Sequence, residues 1–161
     1  MIQPGLHVLF CGINPGLYSA AAGHHFARPG NRFWPTLHAA GFTDRLLAAA
    51  EDTTLLEYGC GLTNLVARST ASAAELDTAE LVRGRQELEA KIARFAPQYL
   101  AVLGIGAYRV AFKQPTAVLG KQPNQIGTTI LWVLPNPSGL NAHYPQPELA
   151  RQFRLLRERR E

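Results

Sequence analysis

The chain has 161 residues, of which 47% are hydrophobic and 17% are charged, and its formal net charge is +4. This composition excludes a disordered chain, and the length suits one domain with a sizeable core, so we expect a single domain over residues 1–161. No apolar run approaches the roughly 20 residues of a membrane helix. Because no basic region precedes the first apolar stretch, we expect no signal peptide and an intracellular protein.

The first half of the chain predicts two strands and two helices. Residues 6–13 are a short apolar run that stops at Asn-Pro-Gly, which indicates a buried strand. A long glycine-containing loop follows, of a length that is usually functional or disordered in a compact domain. Helices are expected over residues 32–40 and 44–51, with Asp44 capping the second, and a short extended piece over 61–67.

The two cysteines, Cys11 and Cys60, fit no metal-ligand spacing and cannot build a disulfide framework. Cys11 lies inside the first apolar run, where a buried free thiol is expected. We therefore expect neither a metal nor another cofactor. The mild basic excess permits a polyanionic partner without requiring one.

The second half alternates long helices with apolar strands. Asp77 and Glu80 form a capping-box pattern that starts a long helix, and Pro97 ends it. The buried face of this helix is expected at Leu81, Leu88, Ile92 and Phe95. The remaining elements are a strand over 98–106, a helix over 107–112, a strand over 128–135 and a last helix over 146–159.

Continuous apolar strands that alternate with helices favour a parallel sheet covered on both faces. We therefore predict an α/β fold, a three-layer αβα arrangement with a central, mainly parallel sheet.

Two strands end in the same dipeptide. Asn14-Pro15 follows the first strand and Asn136-Pro137 follows the last, each with glycine close behind. Proline holds the preceding residue in extended geometry, and glycine allows close backbone approach. Because parallel strands place their carboxyl ends at one edge of a sheet, both asparagines should face one pocket there. The alternative is that Asn-Pro-Gly is only favourable turn chemistry.

Longer stretches carry a family resemblance. "GINPG" (12–16), "FARPGNRFW" (26–34) and "NPSGLN" (136–141) occur in that order, and "CGLTNLVARST" (60–70) and "LGIGAY" (103–108) extend the pattern. The chain resembles the mismatch-specific uracil/thymine DNA glycosylases, a branch of the uracil-DNA glycosylase superfamily. The resemblance implies that superfamily's fold and the hydrolysis of a base from G·U or G·T mismatched double-stranded DNA.

The resemblance also implies roles for residues of the motifs. Asn14 would hold the attacking water near the sugar C1′, and Asn136 would lie near the leaving base. Phe26 would stack on the everted base; its alternative is an ordinary core phenylalanine. The other substrate-binding candidates are Ile13, Gly16, Ser19, Asn64 and Ser138.

The DNA wedge that the resemblance implies is Gly139, Leu140 and Asn141. Relatives often carry an arginine shortly after the wedge leucine, where this chain has Ala142 and His143. The grip on the strand should therefore be weaker or differently placed.

The residue types suit the chemistry that is implied. A base must leave the duplex before it can react, and an apolar wedge replaces its lost stacking. An asparagine amide cannot accept a proton at neutral pH, so Asn14 can only orient water. Among the acids we consider Asp77 as an auxiliary catalytic group, against its alternative as a helix cap.

Two other functions compete with this interpretation. "GIGAYR" (104–109) follows a strand and opens a helix, as in dinucleotide-binding domains, but it lacks the third glycine and the acidic partner. A DNA-lesion binder without catalysis is the second. We expect a monomer without membrane attachment, cytoplasmic and nucleoid-associated if bacterial. We also expect no lyase activity, since Lys91, Lys113 and Lys121 lie outside the motif loops.

Overall fold

The fold is built on a five-stranded sheet, seen in a computed structural model that describes residues 1–139, 141 and 143–159. The strands are β1 (Val8–Gly12), β2 (Cys60–Asn64), β3 (Tyr99–Leu103), β4 (Gly120–Ile126) and β5 (Thr129–Leu134). Their order across the sheet is β2-β1-β3-β5-β4. The first four strands in that order pair in parallel, and β4 pairs antiparallel with β5.

Helices cover both faces of this sheet. They are α1 (Leu17–Ala22), α2 (Phe33–Ala40), α3 (Thr78–Phe95), α4 (Ile105–Ala111) and α5 (Gln146–Glu158), with 3₁₀ turns over Ala49–Tyr58 and Ala73–Glu75. None of the helices in the described part of the chain combines the length and the apolar character needed to cross a bilayer.

The alternation of side chains along β1 divides the core into two clusters. Val8 and Phe10 point to the face covered by α2 and α5, where Phe10 lies edge-on to Phe33 at 5.5 Å. Leu9 and Cys11 point to the face covered by α3 and α4. All five residues of β1 are buried, as expected for a central parallel strand. The predicted three-layer α/β class is confirmed.

Helix α3 agrees with its sequence pattern. Asp77 Oδ1 accepts a hydrogen bond from the Glu80 amide at 2.8 Å and caps the helix. Leu81, Leu88 and Ile92 are buried, as predicted, whereas Phe95 is only half-buried.

The helix predicted over residues 44–51 is wrong. The chain is not helical there before Ala49, and the turns that follow are 3₁₀ turns with a break at Glu51. Asp44 does not cap a helix, because its carboxylate accepts a hydrogen bond from the Tyr58 hydroxyl.

Two elements have no counterpart in the sequence analysis. Helix α1 interrupts the long loop after β1, and β4 was not expected as a strand. The sequence of β4, GKQPNQI, is polar, mostly exposed and contains Pro123. Proline is tolerated in edge strands, and the β4–β5 register shifts between Lys121 and Gln125 around it.

Candidate active site

A cavity of about 440 Å³ opens at the carboxyl edge of the sheet. Gly12, Asn64 and Leu103 line it from the ends of β1, β2 and β3, and Asn136 lines it from the segment after β5. This is the edge where ligands bind in open parallel sheets. The cavity brings together these residues from the sequence analysis: Ile13, Asn14, Gly16, Ser19, Phe26, Asn64, Asn136, Ser138 and Asn141.

The orientation of the Asn14 amide is fixed by its hydrogen bonds. Nδ2 donates to the carbonyl oxygen of Arg68 and to Thr70 Oγ1, both at 2.8 Å. The Arg68 carbonyl can only accept a hydrogen bond. The Thr70 hydroxyl already donates its hydrogen to the Ser72 carbonyl at 2.8 Å, so towards Asn14 it can also only accept. The donor Nδ2 must therefore be the end of the Asn14 amide that faces both groups. Oδ1 of Asn14, which no described residue engages, is left to accept a hydrogen bond from a ligand.

The backbone around Asn14 is tied to the same neighbouring segment. The Ile13 carbonyl accepts from the Val66 amide at 2.9 Å, and the Pro15 carbonyl accepts from the Thr70 amide at 3.2 Å. Gly16 forms an isolated parallel bridge with Thr70. The Asn-Pro-Gly turn is therefore held along its length by the chain that follows β2.

The Asn136 amide has the opposite polarity. Its Oδ1 accepts a hydrogen bond from the backbone amide of Ser138 at 2.9 Å, which assigns the oxygen to the turn. Nδ2 is then the group left for a ligand, since no residue in the described ranges accepts from it. The Asn136 carbonyl is occupied as well, by Nδ2 of Asn141 at 3.0 Å. The cavity thus carries an amide oxygen on one wall and an amide N–H on another.

Phe26 forms an aromatic wall of the cavity. Its ring stacks on Phe33 with the centroids 4.1 Å apart, and its backbone has φ +54°, a left-handed conformation that is uncommon outside glycine. Gly12 keeps the floor open: a Cβ added there would lie 2.8 Å from Asn64 Oδ1 and 3.3 Å from Phe26 Cζ.

Three contacts hold the loop that carries Phe26. Ser19 Oγ accepts from the Ala27 amide at 3.0 Å, and Asp52 Oδ2 accepts from the His25 amide at 3.1 Å. Trp34 Nε1 donates to the His25 carbonyl at 3.1 Å. Asp52 is only 5% exposed, so it acts as a buried anchor beneath the loop. Ser19, predicted to bind substrate, lines the cavity and also anchors this wall.

His25 lines the cavity, and its side chain is partly buried. Burial is the main cause that lowers its pKa, and the N-terminal ammonium and His24 lower it further, against the attraction of Asp52. The neutral ring is therefore the favoured form at neutral pH.

Not every predicted site residue reaches the cavity. Asp77 is not among the described lining residues, and its carboxylate caps α3, which agrees with the alternative considered for it. Gly139 packs against the loop before α2, where an added Cβ would lie 2.5 Å from the Gly30 carbonyl oxygen. Leu140, the predicted wedge, and Ala142 lie outside the described residues.

The cavity also contains residues that the sequence analysis did not assign. Thr70 is 4% exposed and accepts a hydrogen bond from the Asn14 amide. It belongs to the motif stretch 60–70, but the sequence analysis gave it no role. Arg28 is the one arginine or lysine among the described lining residues, and no aspartate or glutamate occurs there. Further unassigned residues of the lining are Asn31, Ala71, Ser72, Ala73 and Leu103.

No amine reaches the described lining either. Lys91 Nζ donates instead to Thr63 Oγ1 at 3.3 Å, Lys113 lies just after α4, and Lys121 lies in β4. The described residues contain no group of three His, Cys, Asp or Glu side chains that could hold a metal ion.

One comparison with known proteins covers almost the whole chain. The model of the family described as the Uracil DNA glycosylase superfamily matches residues 1–158. The match supports a hydrolase that acts on N-glycosyl bonds of DNA in base excision repair. It agrees with the α/β fold and with a cavity at the carboxyl edge of its parallel strands. The chain belongs to the uracil DNA glycosylase superfamily.

Proposed function

We propose that the protein is a monofunctional, mismatch-specific DNA glycosylase. It everts uracil from a G·U pair in duplex DNA and hydrolyses the N-glycosidic bond, with thymine and modified cytosines as further candidate bases. The observation that carries the proposal is the pair of amides of opposite free polarity on one cavity: the oxygen of Asn14 and the N–H of Asn136.

The amide oxygen of Asn14 suits the attacking water. A water molecule that donates a hydrogen bond to Oδ1 keeps a lone pair for the sugar C1′. The oxygen–C1′ bond forms while the bond from C1′ to the base breaks, and the electron pair leaves with the base. Because an amide does not take up a proton at neutral pH, the contribution of Asn14 is positioning, and the water loses its proton to solvent or to the departing base.

The amide N–H of Asn136 suits the departing base. A uracil anion carries its charge on its ring nitrogen and carbonyl oxygens, and a donor aimed at such an oxygen stabilises the transition state. The transition state also has oxocarbenium character on the sugar, as in glycoside hydrolysis generally. Since no aspartate or glutamate occurs in the described lining, the rate should depend strongly on the leaving group.

The Phe26 ring and the floor at Gly12 suit a flat pyrimidine. Stacking of a base on an aromatic side chain contributes roughly 1–3 kcal/mol. The amide of Asn64, beside Gly12, offers a donor and an acceptor to the edge of the base. Arg28 supplies positive charge near the mouth, where phosphates of the everted strand would pass.

Two arguments support a mismatched base as the substrate. The motif resemblance is to the mismatch-specific branch, and a mispaired base is less costly to evert than a paired one.

The described lining contains no lysine and no N-terminal amine, which supports hydrolysis without lyase chemistry.

Abasic-site formation tests the proposal. The protein and its Asn14→Ala variant are incubated with duplexes that carry G·U, G·T or A·U and with single-stranded DNA, and alkaline strand breakage is scored. We expect cleavage of G·U and a loss of about 100-fold or more in the variant. Asn124→Ala, on the exposed edge strand β4, is the matched control.

Two outcomes would contradict the proposal. Binding of the G·U duplex without abasic sites would favour a lesion-binding protein, and unchanged single-turnover cleavage by Asn14→Ala would remove the role of its amide.

In addition, 5-fluorouracil should leave faster than uracil, because the fluorine stabilises the departing anion.

A further inference from the structure

Arg32 joins the two loops that form the mouth of the cavity. It is the residue before α2, and its backbone amide donates to the Pro137 carbonyl at 2.9 Å. Its side chain runs in the same direction, towards residues 137–139, 141, 143 and 144, the described residues of this stretch, which we call the wedge segment. Nothing in the sequence analysis assigned it a role.

The Arg32 guanidinium binds three carbonyls of the wedge segment. Nη2 donates to the carbonyl oxygens of Ser138 and Asn141, at 2.9 and 3.0 Å. Nη1 donates to the carbonyl oxygen of Tyr144. The ion pairs found among the described residues do not include Arg32. Its positive charge is therefore directed at backbone oxygens alone, which makes each of these hydrogen bonds charge-assisted.

This arrangement requires the shape of arginine. The three carbonyls come from residues spread over the wedge segment, and a planar fork reaches them from two separate nitrogens. A lysine carries the same charge on one compact nitrogen and cannot span the same set. Arg32→Lys therefore keeps the charge and removes the geometry.

The wedge segment makes further contacts besides those with Arg32. Gly139 lies against the Gly30 carbonyl with no room for a Cβ, and Asn141 Nδ2 donates to the Asn136 carbonyl. The described residues of the wedge segment thus contact both Asn136 and the loop before α2, the loop to which Gly30 and Arg32 belong.

We propose that Arg32 is a positioning residue for base eversion: it holds the wedge segment in register with Phe26, so that the base pushed from the duplex meets its aromatic wall. The inference rests on the proposed function and adds to it the residue on which eversion depends. Arg32 acts through the wedge segment and does not touch the reacting atoms.

The test separates eversion from bond cleavage. Arg32→Lys is compared with Arg154→Gln, a surface arginine that donates to one carbonyl, that of Ala39, at 3.2 Å. Eversion is followed by the fluorescence of 2-aminopurine placed next to uracil in a G·U duplex. Cleavage is followed under single-turnover conditions on that duplex and on one with uracil opposite an abasic analogue, where eversion meets no paired base.

We expect Arg32→Lys to lose the 2-aminopurine signal and about 100-fold in rate on G·U, the scale of a misplacement of about 1 Å. On uracil opposite the abasic analogue it should stay within a few-fold of the unaltered protein. In Gly139→Ala the new Cβ would lie 2.5 Å from the Gly30 carbonyl oxygen and displace the wedge segment, so this variant should show the same selective defect. The melting temperature of each variant is measured alongside.

Two results would overturn the inference. In the first, Arg32→Lys gives the same 2-aminopurine signal and the same cleavage rates as Arg154→Gln. In the second, Arg32→Lys loses cleavage rate equally on both duplexes, which indicates a general structural role. A misfolded Arg32→Lys leaves the decision to Gly139→Ala, for which an unselective loss or no loss is the adverse outcome. If the unaltered protein forms no abasic sites, the proposed function fails, and the inference fails with it.

Discussion

Thr70 Oγ1 accepts a hydrogen bond from the side-chain amide of Asn14 at 2.8 Å and donates one to the Ser72 carbonyl at 2.8 Å. This short chain of hydrogen bonds decides which end of the Asn14 amide faces the cavity. Thr70, which has no part in the proposed reaction itself, therefore helps to set the orientation of the candidate catalytic side chain.

Thr70→Val should lower the single-turnover rate by about tenfold, equivalent to ~1.4 kcal/mol, because the Asn14 amide loses one of its two partners and can rotate. The substrate concentration at half-maximal rate should change little, since Thr70 need not touch the base. Thr70→Ser keeps the hydroxyl and is the matched control. Equal rates for the two variants would show that the hydroxyl does not orient Asn14.

Gly12→Ala should narrow the floor of the cavity. The new Cβ, 2.8 Å from Asn64 Oδ1, forces that side chain to move, while Phe26 Cζ at 3.3 Å must give by a few tenths of an ångström. We expect a loss of roughly tenfold in kcat/KM for uracil without loss of folding. Gly106→Ala, in a helix position with open space around its Cβ, is the control, and activity equal to that control would contradict the role of the floor.

Phe26→Ala should lower kcat/KM by about 10- to 100-fold, because the base loses a stacking surface worth roughly 1–3 kcal/mol. Phe26→Tyr keeps the ring and should retain most of the activity. Because φ is +54° at this position, Phe26→Gly should be at least as stable as Phe26→Ala, against the usual effect of glycine. Chemical denaturation of the pair measures this, and a clearly less stable glycine variant would show that the backbone relaxes.

Stability should fall in weakly acidic solution because of His25. Its pKa in the folded protein lies below the ordinary 6.5, mainly through burial, so the unfolded chain binds more protons between these two values. The contribution is fully present above about pH 6.5 and is lost as the pH falls through the folded-state pKa. Denaturation midpoints at pH 7.5 and 5.5 should differ less in His25→Asn than in the exposed-site control His38→Asn. An identical pH dependence of stability in the two variants would contradict the contribution of His25.

The sequence alone predicts that Asn14 and Asn136 lie on one cavity, and the structure places both in its lining. Both follow apolar runs, and parallel strands bring their carboxyl ends to a common edge whatever the details of the helices. The helix α3 was equally accessible, since Asp77 caps it and its apolar spacing is regular. In these cases a local pattern determines the structure.

Contacts between distant segments were not accessible in this way. Which end of Asn14 faces the cavity depends on Arg68 and Thr70, and the wedge segment depends on Arg32, more than a hundred positions earlier. The strand β4 was missed because its sequence is polar and contains Pro123, and its pairing comes from β5 rather than from its own propensity. The helix predicted over residues 44–51 is wrong because Asp44, a residue type typical of helix caps, instead accepts a hydrogen bond from the Tyr58 hydroxyl.

The position of β1 in the middle of the sheet has a consequence for how such a protein can change. Asn14 follows a strand that is flanked by β2 and β3 and buried at every residue, so its position is fixed by the centre of the sheet. Residues 17–31, which carry Phe26, form a surface loop with helix α1, held by hydrogen bonds to Ser19, Asp52 and Trp34. Under the proposed function, changes in this loop would therefore alter which base is accepted while the turn that carries Asn14 stays unchanged.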